Sequence, residues 1–406
     1  MRAREGPPRG VRGGRGARNA AGATSYGLHS GALVKRIFLV AGESSGDAHG
    51  AALVRALRAA DPDVVCEGLG GAAMAGAGMT LHHDLAGQAI MGFSEVFKQI
   101  LPLRRLFLET VARLRAHPPD CLVLIDYPGF NIRLARRARA LGIPVVYYIS
   151  PQVWAWKRGR IHTLAQCVKK MLVIFPFEEQ LYRDAGVDCV FVGHPLLDHL
   201  AVYTPSPAAE ELVIGLLPGS RRQEIARLMD VMIAVARGIR ERHPNARFVT
   251  PCVNAARAEQ VRALAGDFPL DIHVEGMYDV LAQARFCLVA SGTATLETAL
   301  FGVPMIILYR VGTANYWLAR WFIRGIQHIG IVNILAGRGI VPEFLQHDAA
   351  PDRILPAALE LIEDTPARVA MFAELGALRR SLGGPGASER AAREILACME
   401  GSTHGG

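Results

Sequence analysis

The chain has 406 residues, is 51% hydrophobic and carries a formal net charge of +8, so it is long enough for large buried cores and its length favours two or three domains. Residues 1–36 hold seven Arg and one Lys against Glu5 alone, so +7 of that charge lies in the first segment and +1 in the rest. The basicity therefore belongs to a tail and implies no polyanion groove in the folded body, and no nucleic-acid partner is expected.

Residues 1–34, with Arg9, Arg12 and Arg15 among glycines, are too polar and Gly-rich to pack and are expected to be disordered. They contain no continuous apolar segment of the secretory type, and their Gly and Pro argue against a transit helix. A start assigned too early would also explain them. The seven cysteines are scattered, odd in number and mostly inside apolar runs, as expected of reduced core residues. No spacing of His and Cys suits a metal; His82 and His83 read as a solvated pair at a strand end.

From Arg36 onward, short apolar runs alternate with helical patterns, and many runs are continuous, as in strands covered on both faces. Runs at 37–41, 64–69, 122–126, 144–149, 171–175 and 189–192 predict one doubly wound parallel sheet. Residues 195–211, with Pro205 and Pro207, read as a linker. A second series follows at 212–217, 247–250, 271–274, 286–290 and 304–308. The expected class is α/β, with an N-terminal domain at 35–200, a second Rossmann-like domain at 201–350, and C-terminal helices at 351–406 that cross back to the first domain.

The first predicted strand ends in Gly42, Glu43, Ser44, Ser45, Gly46 and Asp47, small polar residues at the sheet edge where open α/β folds bind ligands. The spacing of Gly42 and Gly46 does not meet the dinucleotide fingerprint, which disfavours hydride transfer. Asp126 ends another strand, placed to take a proton from a hydroxyl nucleophile or, equally simply, to cap the helix that begins near Asn131. Trp154 and Trp156 offer aromatic planes for a sugar or an acyl chain, or for packing.

Residues 90–108 form an apolar stretch that includes Phe93, Phe97, Lys98, Arg104 and Arg105; it reads as a membrane-interface element or as two core helices broken at Pro102. The same choice attends Tyr316, Trp317, Trp321 and Phe322. No run reaches the roughly 20 apolar residues that span a bilayer.

In the second series, Ser220 and Arg221 follow a strand and can clamp a diphosphate. Gly276 and Met277 follow another, near a base. The run from Phe286 breaks into Ser291, Gly292, Thr293, Ala294 and, one turn on, Glu297. Amides at such a helix start hold phosphate without a lysine, and Glu297 can bond ribose hydroxyls; an ordinary βα turn fits the loop equally. The sole Asp-x-Asp, at Asp61 and Asp63, falls on the opposite edge and reads as a turn.

The motifs GESSGD at 42–47, IDYPGFN at 125–131, SPQVWAW at 150–156, FVGHP at 191–195, LLPGSR at 216–221, ASGTATLE at 290–297 and NILAGR at 333–338 occur in one order. Together they resemble the lipid-A-disaccharide synthase family over nearly the whole chain beyond the tail. The resemblance implies a GT-B fold, with an acceptor domain and a donor domain facing across a cleft. It implies an inverting glycosyltransferase of lipid A biosynthesis in Gram-negative bacteria, joining UDP-2,3-diacylglucosamine to 2,3-diacylglucosamine 1-phosphate and releasing UDP.

By the same resemblance Asp126 is the base, with Glu43 in reserve, and no cofactor or metal takes part. Ser44, Ser45, Gly46, Asp47, Asn131 and Trp154 would meet the acceptor. Ser220, Arg221, Gly276, Met277, Ser291, Gly292, Thr293, Ala294 and Glu297 would meet the donor, with Asn333 and Gln346 completing the cleft. Ser44 departs from the Ala common in relatives. Acylated substrates imply a peripheral protein on the cytoplasmic face of the inner membrane, held through residues 90–108; a homodimer is compatible. The alternatives are a lipid-linked glucosamine transferase or a nucleotide-sugar 2-epimerase on the same architecture, or an RNA-associated protein acting through its tail.

Overall fold

A computed structural model describes residues 34–87, 96–151, 159–202, 211–310 and 328–400. The tail, Phe93, Trp154, Trp156 and the Tyr316–Phe322 group lie outside the described residues, as do Pro205 and Pro207 of the expected linker.

The first half is built from β1 (Arg36–Ala41), α1 (Ser44–Ala60), β2 (Val65–Gly70), α2 (Ala72–Gly76), β3 (Thr80–Asp84), α3 (Val96–Ala116), β4 (Cys121–Ile125), α4 (Pro128–Ala140), β5 (Val145–Tyr148), α5 (Arg160–Cys167), β6 (Lys170–Val173), α6 (Pro176–Asp184), β7 (Cys189–Phe191) and α7 (Leu196–Val202). Its seven strands are parallel in the order β3-β2-β1-β4-β5-β6-β7. The chain winds one way from β1 and then the other from β4, so the β1/β4 boundary is a switch point where the loops diverge and leave a crevice. Along β1 the side chains divide by alternation. Ile37, Leu39 and Ala41 join the core under α1, while Phe38 and Val40 join the core under α3 and α4. Burial on both faces explains why these strands read as unbroken apolar runs.

The second half repeats the plan with β8 (Val213–Leu217), α8 (Arg222–Arg242), β9 (Arg247–Cys252), α9 (Ala255–Ala265), β10 (Asp271–Val274), α10 (Met277–Gln283), β11 (Phe286–Ala290), α11 (Thr293–Leu300), β12 (Met305–Tyr309), α12 (Ile331–Ala336) and β13 (Glu343–Leu345). The six strands are parallel in the order β10-β9-β8-β11-β12-β13, with the switch point between β8 and β11. Three helices follow: α13 (Pro351–Ile362), α14 (Pro366–Ser381) and α15 (Ala387–Glu400).

The last helix packs against α1. Ala391, Ala392, Ile395 and Met399 enter the same core as Leu53 and Leu57. Asp198 of α7 fixes its start, accepting the backbone N–H groups of Gly386, Ala387 and Ser388 at 2.6–3.0 Å; a carboxylate at a helix N-terminus satisfies donors that have no partner inside the helix. Leu296 and Leu300 of α11 join this core too, so one helix of the second sheet rests on the first half.

Several expectations are corrected. Residues 196–202 are helix rather than linker, because Leu196 and Leu197 are buried in the first core. Pro102 lies inside one helix, α3, instead of separating two. It removes one backbone bond near the helix start, and burial of Leu106 and Leu114 beyond it offsets that loss. His82 is not solvated: it sits inside β3, bonds Glu67 at 2.8 Å and stacks on Phe38. Strands β3 and β13 escaped the sequence reading because one is mostly polar and the other has three residues.

All seven cysteines are free and buried. Asp61 and Asp63 form a turn, with the Asp63 N–H donating to Asp61 Oδ1 at 3.2 Å. No described helix is long and apolar enough to cross a membrane.

Candidate active site

At the first switch point β1 and β4 run side by side, with Ala41 opposite Ile125. Gly42, Glu43 and the start of α1 therefore face Asp126 and Tyr127. Gly42 has a steric reason: a Cβ there would fall inside the Tyr127 ring. Glu43, Ser44 and Ser45 are exposed at the helix start, with Gly46 buried beneath them.

Asp126 and Tyr127 both have left-handed backbones, with φ of 45° and 47°. Two such non-glycine residues in succession cost about 1–3 kcal/mol each and persist only where their surroundings hold them. Two buried groups do so. The Tyr147 hydroxyl donates to the Asp126 carbonyl at 2.6 Å, and Asn131 Nδ2 donates to the same oxygen at 2.8 Å and to the Ile125 carbonyl at 3.2 Å. Burial raises the Asp126 carboxyl to about 6, the negative charge of Glu43 pushes the same way, and a bond from the Tyr127 backbone opposes them. A carboxyl so poised is ionised at neutral pH yet basic enough to take a proton from a positioned hydroxyl.

At the second switch point Leu217 lies opposite Val289. The loop after β8 turns at Gly219, whose φ is +100°. Ser220 is exposed, and Arg221 is the N-cap of α8 with its guanidinium 2.9 Å from Glu224 Oε1. After β11, the Ser291 N–H donates to the Leu308 carbonyl at 2.9 Å, and Gly292 and Thr293 are exposed at the start of α11, with Ala294 half-buried behind them.

Gly276 caps α10, and Met277 packs onto the second core. The Tyr278 hydroxyl donates to Glu297 Oε1 at 3.3 Å, tying the loop after β10 to α11. Burial raises the Glu297 carboxyl, with the bond from Tyr278 opposing. Ser220, Arg221, Gly276, Ser291, Gly292, Thr293 and Glu297 thus share the C-terminal rim of one sheet. Gln346 follows β13 on the same rim, with a left-handed φ of 52° and its N–H on the Tyr309 carbonyl at 2.8 Å.

Three of the chosen residues are buried with their polar atoms turned inward. Asp47 takes the backbone N–H groups of Gly71, Ala73 and Met74 at 2.8–3.1 Å and so caps α2. Asn131 is fully buried under Asp126. Asn333 donates to the Val341 carbonyl and to Glu343 Oε1 and accepts from the N–H groups of Ile340 and Val341, all at 2.7–2.9 Å. These three shape the rim from beneath. Sequence reading missed Tyr147, Glu224 and Tyr278. Glu224 had one available signal, its third-position spacing after a helix cap; Tyr147 had none, because its contact is across strands. Among the described residues no group of three or more His, Cys, Asp or Glu is placed to hold a metal ion.

Comparison with known proteins places this geometry in a family. The sequence profile of lipid-A-disaccharide synthetase matches residues 37–381. The lipid-A-disaccharide synthase of Syntrophus aciditrophicus is 42% identical over 381 residues, covering 91% of this chain and 99% of that protein. Among solved structures, the glycotransferase of kitacinnamycin superposes with a TM-score of 0.61 at 19% identity, over 90% of this chain and 98% of that one. The UDP-GlcNAc 2-epimerase of Neisseria meningitidis, bound to UDP-GlcNAc, gives 0.61 at 13% identity, over 89% and 99%. At such low identity these last two share the fold alone, the two-sheet GT-B architecture, whereas the sequence similarity is specific. The chain belongs to the lipid-A-disaccharide synthase family of glycosyltransferases.

Proposed function

We propose that this chain makes the lipid A disaccharide by a single in-line displacement between its two rims. Residues 35–200 hold 2,3-diacylglucosamine 1-phosphate, and residues 201–350 hold UDP-2,3-diacylglucosamine. Asp126 takes the proton of the acceptor 6-hydroxyl as that oxygen attacks the anomeric carbon, and the bond to UDP breaks on the opposite side. The inversion gives a β-1,6 linkage. Arg221 and the N-termini of α8 and α11 receive the charge that develops on UDP. Glu297 bonds the ribose, and Gly276 and Met277 border the uracil.

The observation that carries this reading is the Asp126 carboxyl, half-buried beside Glu43 and raised to about 6. Its test is Asp126→Asn in the full chain. Loss of a general base is expected to lower kcat by about 10²–10⁴-fold with UDP affinity retained; an unchanged kcat would refute the assignment.

The acylated substrates favour a position on the cytoplasmic face of the inner membrane. On α3, Leu101, Arg104, Arg105 and Leu108 share an exposed face. The neighbouring α4 exposes Arg133, Arg136, Arg137 and Arg139. Apolar side chains beside arginines suit an anionic lipid surface, and the N-termini of both helices lie at the rim that carries Asp126. With Leu101→Glu and Leu108→Glu combined, sedimentation with anionic vesicles should fall while the thermal transition stays in place. Undiminished sedimentation would refute this attachment.

A further inference from the structure

The loop that holds the donor's diphosphate in this reading already contains a carboxylate. Glu224, in the first turn of α8, folds back over the loop. Its Oε1 accepts from Arg221 Nη1 at 2.9 Å, and its Oε2 accepts from the Arg221 backbone N–H at 3.3 Å. A Cβ at Gly219 would stand 2.5 Å from that Oε2, so only a glycine leaves the carboxylate this position. An N-cap amide and a guanidinium are the donors that a phosphate oxygen would use here. The carboxylate also faces Tyr309 at the end of β12, whose phenol is raised first by burial and then by the charge of Glu224.

We infer that Glu224 is a stand-in for the nucleotide phosphate, which keeps the empty loop in its binding shape and favours departure of UDP over departure of the donor. The inference rests on the diphosphate reading of this loop. In the donor both phosphates are esterified, whereas the terminal phosphate of free UDP ionises a second time near neutral pH, as phosphate monoesters do. A fixed carboxylate therefore repels the product by one charge more than it repels the substrate. One unit charge at 4 Å changes a binding constant about fivefold even at the dielectric constant of water, and more in a half-buried site. Glu224 thus discriminates between the two ligands through a difference in charge.

The test is Glu224→Gln in the full chain, because a Gln at this helix position keeps the bond to the cap residue and removes only the charge. UDP dissociation constants from calorimetry and donor KM and kcat values are compared with those of the wild type and of Arg221→Ala. In Glu224→Gln the UDP constant is expected to fall about fivefold or more, the donor KM to fall less, and kcat to drop as UDP leaves more slowly, with an unchanged melting temperature. A UDP constant that stays the same, rises, or moves no more than the donor KM overturns the inference. If Arg221→Ala leaves UDP affinity intact, the diphosphate reading itself fails; if only that variant loses UDP, the loop assignment stands and Glu224 is a helix cap alone.

Discussion

The Tyr147 hydroxyl reaches across from β5 to the Asp126 carbonyl, 2.6 Å away, and so holds the backbone of the residue whose carboxyl faces the rim. Tyr147 is completely buried, so in the proposed mechanism it would act only through Asp126. With Asn131 on the same carbonyl, it stabilises the two consecutive left-handed residues that direct this side chain.

Tyr147→Phe should therefore cost about 1 kcal/mol of stability through the lost hydrogen bond. Its larger effect falls on turnover: a base misplaced by a fraction of an ångström lowers kcat, here by about tenfold, with little change in donor KM. Steady-state kinetics beside a urea melt would separate the two, and a stability loss with unchanged kcat would leave Tyr147 a packing residue.

Glu43 contributes through its charge. Because it helps to raise the Asp126 carboxyl to about 6, Glu43→Gln should move the acidic limb of the kcat/KM profile to lower pH. The sign for stability is separate. A carboxyl whose folded pKa lies above its unfolded value of about 3.9 favours folding below that value, and this contribution is lost as pH rises through about 6. Asp126→Asn should accordingly flatten the fall in melting temperature between pH 4 and 7. An acidic limb that does not move in Glu43→Gln would show that Glu43 is too well solvated to matter.

Two histidines give the first domain an acid sensitivity of opposite sign. Burial lowers His49 to about 4 and His194 to about 3, with neighbouring histidine charge pushing down and Asp198 pushing up. Their folded pKa values lie below the unfolded one, so stability is complete above about pH 6.5 and is lost as pH falls towards 4. Each contributes a loss of about 2 kcal/mol by pH 5. His194→Asn retains an acceptor for the Leu196 N–H, which His194 Nδ1 now accepts at 3.2 Å, and removes the titration. Denaturant melts at pH 7.5 and 5 should differ less in the variant by about that amount; an equal difference would point to other groups.

Asn333 offers a contrast between folding and binding. Its side chain makes four internal bonds between α12 and the segment entering β13. Asn333→Ala should lower stability by about 2–4 kcal/mol, because buried donors and acceptors lose their partners. UDP binding to the molecules that remain folded should change little. A large loss of UDP affinity with an unaltered melt would instead make Asn333 a ligand residue.

The sequence by itself determined the architecture. Strands buried on both faces must be continuously apolar, and eleven such runs between helical patterns leave a pair of parallel sheets as the plausible packing. It also marked the candidate site residues, since small polar residues and lone charges directly after apolar runs fall at the C-terminal edges of those sheets, where open α/β folds bind ligands. Helix limits near Pro102 and Leu196 were less legible, because burial against distant elements overrode local signals. Tertiary structure alone decided the division of labour among the marked residues. Asp47, Asn131 and Asn333 look like Asp126 and Glu297 in a string of letters, yet the first three are buried beneath the rim and bond the protein's own backbone. Whether a carboxylate caps a helix, as Asp47 does, or is left available for a proton, as proposed for Asp126, depends on which backbone amides the fold brings within about 3 Å of it, and no local pattern encodes that.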